Sequence, residues 1–167
     1  MEESEETECA VCLQACVLPT RLPHCGHIFC FLCLKGAASR SHRCPLCRAQ
    51  VTASMFQSPQ LLPTARPKKP SDSSKLEPCW FYEGSQGWWQ YDSRTASELE
   101  TCWAGGRRRM EMLIGGQVYL IDLRAMHQAR KNEPSRHRRI RREDRANDTH
   151  YCGVAGVPLK KLKFPMD

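Results

Sequence analysis

Apolar and polar positions alternate in short runs through the second half of the chain, and glycine pairs punctuate them. Trp80–Glu83 and Trp88–Tyr91 are aromatic-rich runs separated by Gly84 and Gly87, the pattern of two strands around a turn. Thr95-Ala-Ser-Glu98 then has capping-box spacing, and Ala96, Leu99, Cys102 and Trp103 recur at helical intervals. A helix is therefore predicted, stopped by Gly105-Gly106. Met110, Met112 and Ile114 alternate with Glu111 and Leu113 as a strand would, Gly115-Gly116 supplies a tight hairpin, and Gln117–Leu123 returns as its partner. A last, basic strand is predicted through Arg136–Arg142, where Ile140 is the only apolar residue and Arg138 shares its face. About five strands and one helix predict an α+β fold, a small twisted sheet or partial barrel cradling the helix. Trp88 is expected in its core.

The first half is governed by cysteine instead. Eight of the 11 cysteines precede residue 48, and only Cys79, Cys102 and Cys152 follow. Between the two halves the composition shifts to Pro, Ser and Lys, from Pro59 and Pro63 through Pro67, Lys68, Lys69 and Pro70, which reads as an extended linker. The expected organisation is an acidic segment over residues 1–8, a metal-binding domain over 9–56, a linker over 57–78, a second domain over 79–158 and a basic end over 159–167. The sequence contains no evident internal repeat.

Cysteine at this density implies either disulfides in an oxidising compartment or metal in a reducing one. Residues 1–8 carry five glutamates with no basic start and no apolar run, so no secretory signal is expected there. No apolar stretch approaches the ~20 residues of a membrane span. A reducing compartment is expected, the cytosol with the nucleus as a second location. The spacing supports metal: Cys9-x2-Cys12, Cys25-x-His27-x2-Cys30-x2-Cys33 and Cys44-x2-Cys47 supply eight ligands, enough for two closed tetrahedral Zn2+ sites. Closed sites leave no position for water, so both ions are expected to be structural. A segment this short cannot bury a sufficient apolar core, and metal binding becomes its folding energy.

The ligand spacing resembles the RING family. That resemblance implies an interleaved pairing: Cys9, Cys12, Cys30 and Cys33 hold one ion, and Cys25, His27, Cys44 and Cys47 hold the other. It also implies a ubiquitin-charged conjugating enzyme as partner, docked on Val11, Pro45 and Leu46. Arg48 matches the position of a cation that hydrogen-bonds enzyme and ubiquitin together. Knuckle packing is the alternative role for Val11 and Leu46, and a solvated surface arginine the alternative for Arg48. Cys16 falls outside the pattern and is read as an ordinary thiol.

The net charge of +7 is unevenly spread, with acid near Glu98 and Glu100 and base at Arg107–Arg109 and from Arg136 to Arg145. A polyanion is the natural partner of such a run. The stretch Trp80-Phe-Tyr-Glu-Gly-Ser-Gln-Gly-Trp88-Trp89-Gln-Tyr91 resembles the start of a WWE domain, and the likeness continues through Ser97-Glu-Leu-Glu100, Tyr119 and Gly153-Val-Ala-Gly156. WWE domains are half-barrels, here expected with five or six strands against one helix. RING followed by WWE is similar to the Iduna-like family of ubiquitin ligases, which recognise poly-ADP-ribose.

That resemblance implies a ligand pocket of Tyr82, Trp89, Tyr119, Gln128 and Arg138. Gln128 falls to the base and Tyr82, Tyr119 and Arg138 mainly to phosphates, while Trp89 packs on the ligand or supports the wall. Lys35 matches a RING lysine that meets the same ligand, and in the family ligand binding switches on the RING. Three positions depart from the pattern. Ser85 replaces an arginine, Ser39 replaces a tryptophan, and His150, Tyr151 and Cys152 stand where a phosphate-binding lysine is expected. Losing two cations predicts weaker binding or compensation by Arg139 or Arg141. The family's acidic tail, which recruits tankyrase, has no counterpart here, so tankyrase is a partner by resemblance alone.

The combined expectation is a ubiquitin ligase that detects poly-ADP-ribose and directs modified proteins to ubiquitination, by aminolysis of a thioester that the ligase positions. Membrane and direct DNA partners are not expected. Two other readings stand beside it. In one, the WWE domain is only a protein-interaction module. In the other, the chain is a non-enzymatic zinc adaptor that holds nucleic acid through its arginines, with steep salt dependence.

Overall fold

A computed structural model describes residues 7–63, 78–144 and 150–162. It contains two compact units, the second spanning Lys69–Leu159. Among the described residues no helix is long and apolar enough to cross a membrane. Most of the expected acidic segment, most of the linker and most of the basic end lie outside the described residues.

In the first unit, strands β1 (Pro19–Arg21) and β2 (Ile28–Cys30) pair antiparallel, Pro19 opposite Cys30. Helix α1 (Phe31–Ser41) follows without a break, buries Phe31, Leu34 and Ala38 on one face, and ends where His42 turns left-handed and donates its N–H to Ala38. A single turn, α2 (Ser54–Gln57), leads into β3 (Gln60–Leu61) on the other edge of β1. This corrects the expected boundary at residue 56. Gln60 and Leu61 pair with Arg21 and Thr20, and Leu62 donates its N–H to Pro19. The stretch Ser58–Leu62 thus belongs to the first unit. Its proline-rich composition masked a two-residue edge strand, where Pro59 sits just ahead of the pairing and costs no ladder bond. The buried core is small (Cys9, Leu22, Phe29, Cys30, Leu34, Ala38, Cys44 and Val51), and three of these are expected metal ligands.

The second unit is one curled sheet, in the order β11-β10-β5-β4-β9-β8-β7-β6, packed on a single long helix. Its strands are β4 (Pro78–Gly84), β5 (Gly87–Gln90), β6 (Arg109–Ile114), β7 (Gln117–Asp122), β8 (His127–Arg130), β9 (Glu133–Asp144), β10 (Gly153–Val154) and β11 (Val157–Pro158). Helix α3 (Ser93–Ala104) lies between β5 and β6 in the chain. All pairs are antiparallel except β10 with β5. The half-barrel and its helix match the expectation, with eight strands among the described residues rather than five or six. The additions are β10 and β11, only two residues each, and β8, whose His-Gln-Ala-Arg sequence carries no apolar alternation.

Helix α3 begins earlier than the capping-box reading placed it. Asp92 is the N-cap, accepting from the Thr95 backbone N–H at 3.3 Å and from the Thr95 hydroxyl. Asp is among the strongest N-caps, so it wins over Thr95 three positions on. Gly106 adopts a left-handed φ of 71°, as a helix stop requires. In the β6–β7 hairpin, Gly115 and Gly116 both have positive φ, the signature of a two-residue turn matched to strand twist.

The core beneath the sheet comprises Trp80, Tyr91, Leu99, Met112, Ile121, Leu123 and Ile140. Glu100 of α3 ties helix to sheet: it accepts from Trp80 Nε1 at 2.9 Å and from the Arg142 guanidinium at 2.8 Å through each oxygen. Strand β9 therefore divides by parity, with Arg138, Ile140 and Arg142 on the helix side and Arg139 and Arg141 on the outer face. Trp88 is on that outer face too, which corrects its expected place in the core. It pairs with Glu83 in the β4–β5 ladder and lies under the Arg141 guanidinium at 4.2 Å.

Candidate functional site

The chain folds its eight expected metal ligands into two groups, Cys9, Cys12, Cys30 and Cys33, and Cys25, His27, Cys44 and Cys47. Within each group the ligand atoms all lie within 4.8 Å of one another. The Cys12 and Cys30 sulfurs are 3.8 Å apart, and Cys44 Sγ is 3.6 Å from His27 Nδ1. Two thiolates ~2.3 Å from one tetrahedral Zn2+ stand about 3.8 Å apart, and a thiolate and an imidazole slightly closer, so both groups fit zinc. The groups interleave along the chain. Cys30 closes β2, caps α1 and carries one ligand, so metal, strand and helix share one residue.

Backbone N–H groups of Val17 and Cys30 point at the Cys30 and Cys9 sulfurs, at 3.3 and 3.4 Å, an outer shell that favours thiolate charge. Cys16 is no spare ligand. Burial, reinforced by negative charge on Cys30, pushes its thiol up to about 12, so it stays protonated beside the cluster.

Val11 and Leu46, from the first and last knuckles, are 42% and 54% exposed. Pro45 and Arg48 are exposed as well. Leu13, absent from the sequence-based set, is 71% exposed at a left-handed φ of 57°. Lys35 is exposed on α1, with its ammonium 6.0 Å from the Phe31 ring.

In the second unit, Tyr119, Gln128 and Arg138 converge on one depression of about 50 Å³, whose wall also includes Ala129, Arg130, Glu133 and Arg136. The strand ladder causes the convergence. Gln128 is opposite Arg138 across β8–β9, and Tyr119 is opposite Arg130 across β7–β8. Gln128 is only 3% exposed, and its Oε1 accepts from the Tyr91 hydroxyl at 2.6 Å. The Tyr119 hydroxyl accepts from Arg130 Nε at 3.4 Å. Tyr82 is not among the residues that line the depression; its ring is 5.0 Å from that of Tyr91. Burial pushes the Tyr82 phenol up to about 12; Tyr119 adds to the shift, while Arg138 and an N–H from Gly156 oppose it.

Trp89 is not part of the pocket wall. It lies over two glycines, since a Cβ at Gly84 would come within 2.7 Å of its ring and one at Gly153 within 2.8 Å. It packs against the β4–β5 turn and the β10 segment.

Compensation by Arg139 or Arg141 is not what the fold provides. Arg139 forks onto Glu83 at 2.7 and 3.0 Å, and Arg141 stacks on Trp88 and Phe81 with Glu143 3.2 Å from its Nε, all on the face opposite the pocket. The other cations on the pocket wall are Arg130 and Arg136. The strand β8 that carries Arg130 was not legible in the sequence, whereas the parity of Arg136 with Arg138 on β9 was.

Residues 7–48 match the Ring finger domain family, and residues 78–142 match the WWE domain family. This is a RING–WWE protein. Across 152 residues the RING–WWE chain is 47% identical to "E3 ubiquitin-protein ligase rnf146" of Salmo salar, covering 91% of this chain and 43% of that protein. It is 46% identical to "E3 ubiquitin-protein ligase RNF146" of Homo sapiens, covering 91% of this chain and 41% of that protein. Against the Xenopus tropicalis protein of the same name it is 46% identical, over 92% of this chain and 47% of that protein. The chain thus spans less than half the length of these curated relatives.

Proposed function

We propose that this RING–WWE protein is a ubiquitin ligase that binds the iso-ADP-ribose unit of poly-ADP-ribose and is switched on by it. The observation that carries the ligand reading is the convergence of Tyr119, Gln128 and Arg138 on one polar depression with Arg130 and Arg136 beside them. Such a wall offers a carboxamide for an adenine edge and guanidinium forks for pyrophosphate. The ligase reading is supported by the two zinc-fitting groups, the exposed Val11, Leu46 and Arg48, and the printed names of the relatives. The RING would hold a ubiquitin thioester in a reactive pose while a substrate lysine attacks it; zinc would hold the fold, and no covalent intermediate forms on the ligase.

The test is autoubiquitination with a ubiquitin-charged conjugating enzyme, with and without iso-ADP-ribose, on wild type, Arg138→Ala and Lys35→Ala. Stimulation is expected in wild type and lost in Arg138→Ala; Lys35→Ala is expected to bind ligand yet respond less. Activity indifferent to the ligand would leave a constitutive RING ligase with an interaction-only WWE domain. A nucleic-acid adaptor is the weaker alternative, because Arg139, Arg141 and Arg142 already face Glu83, Glu143 and Glu100.

A further inference from the structure

Tyr91 is absent from the pocket wall, yet it fixes the most buried polar group that faces the pocket. Its ring belongs to the core with Trp80 and Leu99, and it is 3% exposed. Its hydroxyl donates to Gln128 Oε1 at 2.6 Å, a short bond between two buried groups. Burial also holds the phenol well above its ordinary pKa, so it remains a donor at any physiological pH.

A primary carboxamide has a donor end and an acceptor end of nearly the same shape, and a bare pocket leaves it free to flip. Here a flip would turn the N–H2 group toward Tyr91 and take away the acceptor of a buried O–H. A buried donor without a partner is the costly case. The amide is therefore held with Oε1 toward Tyr91, one lone pair still free, and the N–H2 group as its donor.

The geometry points to Tyr91 as a positioning residue that fixes the orientation of Gln128 and so makes the pocket read adenine in preference to hypoxanthine. Adenine presents an amine donor beside a ring-nitrogen acceptor, which one orientation of a carboxamide meets with both its ends. Hypoxanthine has a carbonyl in place of the amine and a proton on the adjacent ring nitrogen, the reverse order. A fixed amide rejects that order, whereas a free one can rotate to meet it. The inference rests on the proposed reading that Gln128 faces the base.

The experiment titrates iso-ADP-ribose and its deaminated, hypoxanthine-bearing counterpart into wild type and Tyr91→Phe by calorimetry. Wild type is expected to prefer the adenine form about tenfold or more. Tyr91→Phe is expected to reduce that preference to about twofold, with the change falling mainly as tighter binding of the hypoxanthine form. A Tyr91→Phe protein that keeps the full preference overturns the inference while leaving the pocket reading intact. Wild type that binds neither form overturns both. Nuclear Overhauser contacts in wild type give a second measurement should the variant fold poorly. The Gln128 Nε2 protons are expected nearer Arg138 and Tyr119 than the Tyr91 ring, and the opposite result also overturns the inference.

Discussion

Single side chains in this protein take their roles from the strand face on which they fall. Arg136 and Arg138 share a face of β9 and line the pocket, whereas Arg139, one residue along, is held by Glu83 on the other side. Arg130→Ala and Arg136→Ala are therefore expected to weaken iso-ADP-ribose binding by roughly 1 kcal/mol each, the scale of one exposed charge-assisted contact. Arg139→Ala should bind within error of wild type. Calorimetry at constant salt checks all three, and a loss in Arg139→Ala as large as in Arg136→Ala would remove the pocket assignment. Cys16 illustrates the same dependence on surroundings in the first unit. It is a sulfur beside a thiolate cluster, yet burial keeps it protonated. Cys16→Ser is expected to retain two zinc ions per chain by metal analysis, while Cys12→Ser retains one or unfolds the unit.

At the scale of elements, the helix α3 is started by a buried cap and tied to the sheet by one carboxylate beside its apolar face. Glu100 accepts from Trp80 and twice from Arg142, and the Arg142 hydrogen bond is the first cause holding its carboxyl below the usual range. A depressed carboxyl contributes stability that is complete above its unfolded value, near 4.3, and is lost as pH falls through the lower folded value. Glu100→Gln is expected to cost about 1–2 kcal/mol at pH 7, with the gap to wild type closing in acid below the folded value. Chemical denaturation followed by tryptophan fluorescence measures this directly, and a constant gap across pH would mean the ion pair contributes nothing. Asp92→Ala should cost about 1 kcal/mol more simply, through the lost N-cap.

For the whole molecule, each unit has its own core and its own source of stability. The first rests on zinc, because the eight residues of its core cluster include three ligands. The second rests on a tryptophan-centred apolar core and contains all 4 tryptophans of the chain. Chelation is therefore expected to abolish ubiquitin transfer while leaving the tryptophan-monitored transition and iso-ADP-ribose binding in place. Loss of ligand binding on chelation would show that the WWE unit depends on zinc after all. Arg48→Ala should separate the functions from the other side, with transfer lost, zinc content unchanged and ligand bound as before.

The zinc ligands were legible in the sequence because a two-residue knuckle is a local constraint: spacing alone decides whether two sulfurs can meet one ion. The β6–β7 hairpin was legible for the same reason, since two adjacent glycines supply the positive φ that its turn demands. The pairing of the knuckles and the pocket positions came from resemblance, because they join residues far apart in the chain. What only the tertiary structure decided were choices among local options. Asp92 rather than Thr95 caps α3, Trp88 faces outward beneath Arg141, Gln60 and Leu61 extend the zinc unit, and Arg130 rather than Arg139 joins the pocket. All but the cap turn on which strand lies alongside and in what register. A one-residue change of register reverses every face, and neighbouring strands, not local sequence, set it. The Tyr91–Gln128 bond spans 37 residues and joins the residue just past β5 to β8, which is not a neighbour of β5 in the sheet, so no local pattern could have announced it.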